Sequence, residues 1–174
     1  SPGEPLITKD RDFNLWKGWG VEPSPGPIEL WNKLLGRLFA DEPESRKWFE
    51  QWLAYPLQNP GYKMPTYSVL WGIKQGTGKS LLGYTMLRIY GDNGTEIDNN
   101  TLLSPFNDYA ENRCFVMADE GKNENKRVSA GQFKTTISRQ ILRINTKYIP
   151  AYSVPDRLNF YLTSNDPDCC YLED

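Results

Sequence analysis

Apolar residues recur at helical spacing twice in the first third of the chain. Ile28, Trp31, Leu34, Leu35, Leu38 and Phe39 predict one helix, entered at Pro27. Trp48, Phe49, Trp52, Leu53 and Leu57 predict a second, capped by Asp41, with Pro43 in its first turn and Pro56 kinking or ending it. The pattern then changes to short continuous apolar runs. Tyr67–Trp71 predicts a strand, Leu81–Tyr90 a helix closed by Gly91, Arg113–Glu120 a strand ending in two acids, and Leu158–Asn165 a strand ending in Thr-Ser-Asn. Gln140–Ile144 and Tyr148–Val154 predict a hairpin around Asn145–Thr146–Lys147. Asp92–Asn93–Gly94 reads as a turn, residues 95–112 as mixed with a short helix around Leu102–Ala110, Ser129 as a helix cap, and the acidic tail from Asp166 as an exposed loop. Ahead of all this, residues 1–27 are rich in proline and glycine. They predict an irregular arm whose Phe13, Leu15, Trp16 and Trp19 dock on the domain.

Strands alternating with helices imply an α/β fold with a parallel sheet. The turn between the first strand and its helix carries the most chemistry: Gly72–Ile73–Lys74–Gln75–Gly76–Thr77–Gly78–Lys79–Ser80. Glycines there let successive N–H groups curl around phosphate oxygens, and the new helix adds its free N–H groups. Gly76, Thr77, Gly78, Lys79, Ser80 and Leu81 are the expected nucleotide contacts. Lys79 supplies charge, and Ser80 supplies a hydroxyl for Mg2+. The usual spacing places a glycine at position 73, where this chain has Ile73, so the loop is a variant of the pattern. Acids at the carboxyl end of a parallel strand face the same crevice. Asp119 is therefore the expected second Mg2+ contact and Glu120 the expected general base, with Asn165 reaching the terminal phosphate or an attacking water.

Composition narrows the classes. Among 174 residues there is no histidine, which removes Ser-His and Cys-His catalysis, and the three cysteines form no C-x-x-C pair, which argues against zinc. Few cysteines suit a reducing setting, so a cytoplasmic location, in a bacterium or a phage-infected host cell, is expected. No apolar run reaches the roughly 20 residues of a membrane span, and no membrane partner is expected. The net charge is −2, so any contact with nucleic acid must be local. Residues 122–147 supply that locality, with seven bases against Glu124 alone. Lys147 at the hairpin tip, with Lys134 and Arg143, is the expected contact to single-stranded DNA.

The order of these motifs resembles the superfamily 3 helicases, ATPases of the AAA+ type from small viruses, phages and mobile elements. Gly76–Ser80 is similar to their motif A, Cys114–Glu120 to motif B, Gly131–Tyr148 to motif B′ and Phe160–Asn165 to motif C. Phe13–Trp19, Glu22–Pro23 and Trp52–Ala54 resemble the phage primase-helicase or primase-polymerase group. The resemblance implies a P-loop NTPase (AAA+-like) core at residues 63–174, behind an N-terminal arm and helical segment at residues 1–62. It implies ATP and Mg2+ as cofactors and a ring, commonly a hexamer, driving single-stranded DNA translocation. It also implies a primase or polymerase domain in the same polypeptide. A neighbouring subunit's arginine would complete each site. No arginine follows Arg157, so the core is expected to be truncated and poorly active alone. A nucleotide-binding scaffold or DNA-loading module without turnover, or another P-loop phosphotransferase, is the alternative.

Overall fold

The computed structural model describes residues 2–11, 13–102, 104–119, 128–129, 136–166 and 170–171. Its centre is a parallel sheet of β1 (Ser68–Trp71), β2 (Gly94–Asp98), β3 (Phe115–Asp119) and β7 (Asn159–Ser164), in the order β1-β7-β3-β2. The chain is thus of mixed α/β class with a four-stranded parallel core. β7 is buried along its whole length and Phe115–Ala118 of β3 are buried too, which explains the apolar runs Phe115–Ala118 and Phe160–Leu162, while Asn159, Thr163 and Ser164 of β7 are buried polar residues. The register is continuous: Asp119 lies beside Thr163, and Trp71 beside Ser164.

Helices cover one face. α1 (Glu29–Leu38) and α2 (Pro43–Gln58) contribute Leu35, Phe49, Trp52 and Leu53 to a cluster shared with Leu82 and Met86 of α3 (Lys79–Tyr90) and with Phe115 and Tyr161 of the sheet. The second cluster joins Val116, Ala118, Phe160 and Leu162 to Leu142 and Ile144 of the hairpin. Burying alternate residues of β3 and β7 in different clusters follows from the period of two along a strand.

Several local expectations are corrected. The residue capping α2 is Glu42, with no side-chain hydrogen bond, and Pro56 is buried within the helix instead of ending it. The segment after α3 forms β2, then a short helix α4 (Asn99–Leu102) and a separate 3-10 turn at Asp108–Ala110. In β2 only Ile97 is buried, so an edge strand hid behind a polar sequence. Ser129 lies in β4 (Val128–Ser129), paired in parallel with β8 (Cys170–Tyr171) in the segment expected as a loop. The hairpin exists as β5 (Ile141–Ile144) and β6 (Tyr152–Pro155), with its second strand beginning four residues later than expected. Positive φ at Tyr148 breaks the strand there. In the arm, Trp16 and Trp19 pack edge-on, as do Trp19 and Tyr90, whereas Phe13 and Leu15 stay exposed.

Candidate phosphate site and its surroundings

The loop begins where β1 ends. Gly72 N–H donates to Ser164 O at 3.1 Å, carrying the β1–β7 pairing one residue past the strand. Gly76 and Gly78 then adopt left-handed φ of 70° and 106°. At Gly78 glycine is required twice over, because an added Cβ would also lie 2.5 Å from Leu34 Cδ1 of α1. Leu82 N–H donates to Gly78 O at 3.0 Å, the first turn of α3. The backbone N–H groups ahead of that turn have no helical acceptor and form the anion-attracting end of the helix. Ile73 is 78% exposed, so a side chain is accommodated where the usual pattern has glycine.

Lys79 is buried, yet its ammonium is fully engaged. Nζ donates to Gly72 O at 3.1 Å, Lys74 O at 3.3 Å and Asn165 Oδ1 at 3.1 Å. Ser80 Oγ donates to Asp119 Oδ2 at 3.0 Å. Four of the residues singled out from sequence therefore converge from three elements: Lys79 and Ser80 from α3, Asp119 from β3 and Asn165 from the end of β7. Thr77 and Leu81 flank them, Leu81 exposed. Glu120 and Lys134 lie outside the described residues.

Two residues that the sequence did not flag hold this group from below. Thr163 Oγ1 donates to Asp119 Oδ1 at 2.7 Å, so the carboxylate is gripped at both oxygens. Tyr161 OH donates to Lys79 O at 2.7 Å, and burial pushes that phenol well above its ordinary pKa. Residues 161 and 163 share one face of β7. Their only signal in the sequence is a hydroxyl at alternate positions 161 and 163 of the strand Asn-Phe-Tyr-Leu-Thr-Ser.

The hairpin is held by other partners. Asn107 Nδ2 donates to Arg143 O at 2.9 Å, and Asn145 N–H donates to Asn107 Oδ1 at 2.7 Å. Lys147 Nζ sits 5.3 Å from the centre of the Phe106 ring, a cation-π distance. Arg143 is exposed, and Tyr148 beside Lys147 is fully exposed. Among the described residues, neither Lys147 nor Arg143 touches Lys79, Ser80, Asp119 or Asn165. At the hairpin's base, Asp156 accepts from Lys63 Nζ at 2.7 Å and from Arg139 Nε at 2.5 Å.

Residues 70–173 match a family of unknown function, DUF5906, which takes in everything from the end of β1 through the loop, the acids, the hairpin and β7. This chain belongs to DUF5906. The DUF5906 chain is also 31% identical over 160 residues to the DNA primase-polymerase of Nitratiruptor phage NrS-1, covering 88% of this chain but 22% of that protein. Solved apo structures of the NrS-1 C-terminal region superpose with TM-scores of 0.81 and 0.80 at 29% and 30% identity, each covering 93% of this chain and 40% of the solved one. The chain thus spans about a fifth of the curated relative (22%).

These findings correct the helicase reading and the ATP-hydrolysing activity drawn from it. The matched family carries no assigned function, and the relative is named a primase-polymerase, not a helicase or ATP hydrolase. The segments read as motifs A, B and C meet at one site, and the geometry of that site does not say what activity it is coupled to. The feature that pointed most specifically to unwinding was the B′ segment, of which residues 131–135 lie outside the described residues and residues 136–148 run from a helical turn into the hairpin. The setting of phage DNA replication, in contrast, is supported by the relative.

Proposed function

We propose that this DUF5906 chain is the nucleotide-binding part of a phage-type primase-polymerase, taking a nucleoside triphosphate such as ATP with Mg2+ at the loop. The observation that carries it is the convergence of Lys79, Ser80, Asp119 and Asn165 at the carboxyl ends of parallel strands, beside a glycine-shaped helix start. In this reading the sheet and loop are a P-loop NTPase core. Amides of Gly76 to Leu81 and Lys79 hold the phosphates. Ser80 and Asp119 hold Mg2+. Their two oxygens suit that hard ion, which keeps most of its waters and takes others from phosphate. Lys79 would exchange its three protein acceptors for phosphate oxygens, releasing Asn165 toward the outermost one. When bound, the metal supplies charge neutralisation between the phosphates.

The same reading places single-stranded DNA on the hairpin, at Lys147 and Arg143 with Lys134, and adds Tyr148 as a stacking surface. The exposed Trp71, Ile73 and Leu81 around the loop support a neighbouring subunit there, as in a ring. Titration calorimetry tests the core of this. Wild type should bind Mg-ATP, and Lys79→Ala should lose it, whereas binding equal in both proteins overturns the site. Lys147→Ala should weaken oligothymidylate binding and leave Mg-ATP affinity intact. Unchanged DNA binding would sink the hairpin's role.

A further inference from the structure

We propose a second ligand site, at the opposite end of the sheet from the loop, that takes one nucleoside monophosphate unit. The unit is either free or a link in a DNA strand. The proposal does not rest on the phosphate loop.

A pocket of about 510 Å3, open to solvent on one side, lies beside the N-terminal arm. Pockets for small ligands commonly span about 300–1,000 Å3. Cys114 and Leu158 form part of its wall, and they directly precede β3 and β7. The cavity therefore opens at the amino ends of the strands whose carboxyl ends carry Asp119 and Asn165. Three further segments complete it: the arm at Phe13–Lys17, the turn after α3 at Asp92, and the hairpin at Leu142 and Val154.

Its chemistry is that of a nucleotide. Phe13 and Trp16 supply aromatic surface against an apolar floor, which suits a base. Lys17, Arg113 and Arg157 bring three positive charges against the single acid Asp92 among the described lining residues, with Lys17 Nζ 3.9 Å from the Asp92 carboxylate and Arg113 also donating to Asp92 O, and the net positive balance suits a phosphate.

A second observation points the same way. Trp16 Nε1 and Arg113 Nε are buried donors without a hydrogen-bond partner, and both residues line this cavity. A buried donor left unpaired costs about 1–3 kcal/mol, so natural structures keep few of them. An occupant carrying acceptor oxygens would offer both a partner. The arm beside them is held in place by Asn14 N–H donating to Leu6 O and Asn14 Nδ2 donating to Glu4 O, each at 2.7 Å, and by Asn93 Nδ2 donating to Gly18 O at 2.7 Å.

The test uses the full chain carrying Lys79→Ala, which silences the loop. The Trp16 indole N–H resonance, assigned by its disappearance in Trp16→Phe, is followed by NMR during titration with thymidine monophosphate and with a short oligothymidylate. A saturable shift of that resonance is expected. Saturation by the monophosphate identifies a free nucleotide, and saturation by the oligomer alone identifies a DNA link. Arg113→Gln should weaken the response about tenfold, the loss of one charge-assisted hydrogen bond. No movement of the Trp16 resonance with either ligand overturns the proposal, as does an undiminished response in Arg113→Gln. If Trp16→Phe fails to fold, the Arg113→Gln comparison still decides.

Discussion

Thr163→Val isolates the metal half of the proposed site from its phosphate half. Thr163 is 2% exposed and makes one hydrogen bond of functional interest, its hydroxyl donating to Asp119 Oδ1 at 2.7 Å. Valine keeps the shape and removes the hydroxyl. Among the described residues Asp119 then keeps the hydrogen bond from Ser80 at 3.0 Å, and one carboxylate oxygen is released. A hydrogen bond to a charged group contributes about 1.5–3 kcal/mol net. If that energy fixes the carboxylate where Mg2+ needs it, the variant should bind Mg-nucleotide about 10–100-fold more weakly. Nucleotide binding in EDTA rests on Lys79 and the loop amides and should barely change. Calorimetry with ATP, run with Mg2+ and with EDTA, separates the two. Thr163→Ser, which restores the hydroxyl, should recover most of the loss. A loss of equal size with and without Mg2+ would show that Thr163 acts only through general stability, and the assignment of Asp119 to the metal would fall.

Two further outcomes follow from groups away from the loop. Asp156 has a fully buried side chain that accepts from Lys63 and Arg139 and from Leu158 N–H at 3.0 Å. Burial lowers the Lys63 pKa, and the bond to Asp156 offsets this. Asp156→Ala should cost about 3–5 kcal/mol in urea unfolding, the figure for orphaning buried charges, whereas a change below about 1 kcal/mol would mark the cluster as a mere surface pair. Burial pushes the Cys114 thiol up to about 11 from its ordinary 9.0, with Arg157 opposing. The folded state therefore favours the protonated thiol. That contribution is complete below pH 9 and is lost as pH rises through 11, up to about 3 kcal/mol. Cys114→Ala should flatten the stability profile between those values, and an unchanged slope would refute the account.

What the sequence disclosed follows from how much each element depends on residue type. β1, β3 and β7 were legible through the continuous apolar runs Val69–Trp71, Phe115–Ala118 and Phe160–Leu162, which strands inside a covered parallel sheet favour. β2 was not, since an edge strand with only Ile97 buried can be written Gly-Thr-Glu-Ile-Asp. The pair β4 and β8 has two residues a side, too short for any period to show. At the site, the meeting of Lys79, Ser80, Asp119 and Asn165 was legible because a glycine-rich turn after one strand and polar residues at the carboxyl ends of parallel strands face one crevice. Tyr161 and Thr163 were not, because their role depends on register, which sets Thr163 beside Asp119 only once the sheet is assembled. The helicase reading went too far for a related reason. A phosphate cradle is written in few residues, and the work it drives is written elsewhere.

The strand order has a consequence for how the protein comes into being. β7 lies between β1 and β3, so neither pairs with the other, and Ser68 of β1 waits for Tyr161. Everything from the loop to the hairpin leaves the ribosome before the strand that joins the two halves. Such long-range pairing makes folding slow, since the intervening chain must be ordered before the contacts form. A nascent chain that has passed residue 120 but not 159 carries the entire loop sequence, yet it has no partner for β1, no acceptor from Asn165 for Lys79 and no hydrogen bond from Thr163 to Asp119. Synthesis itself thus keeps the cradle unformed until its last strand arrives.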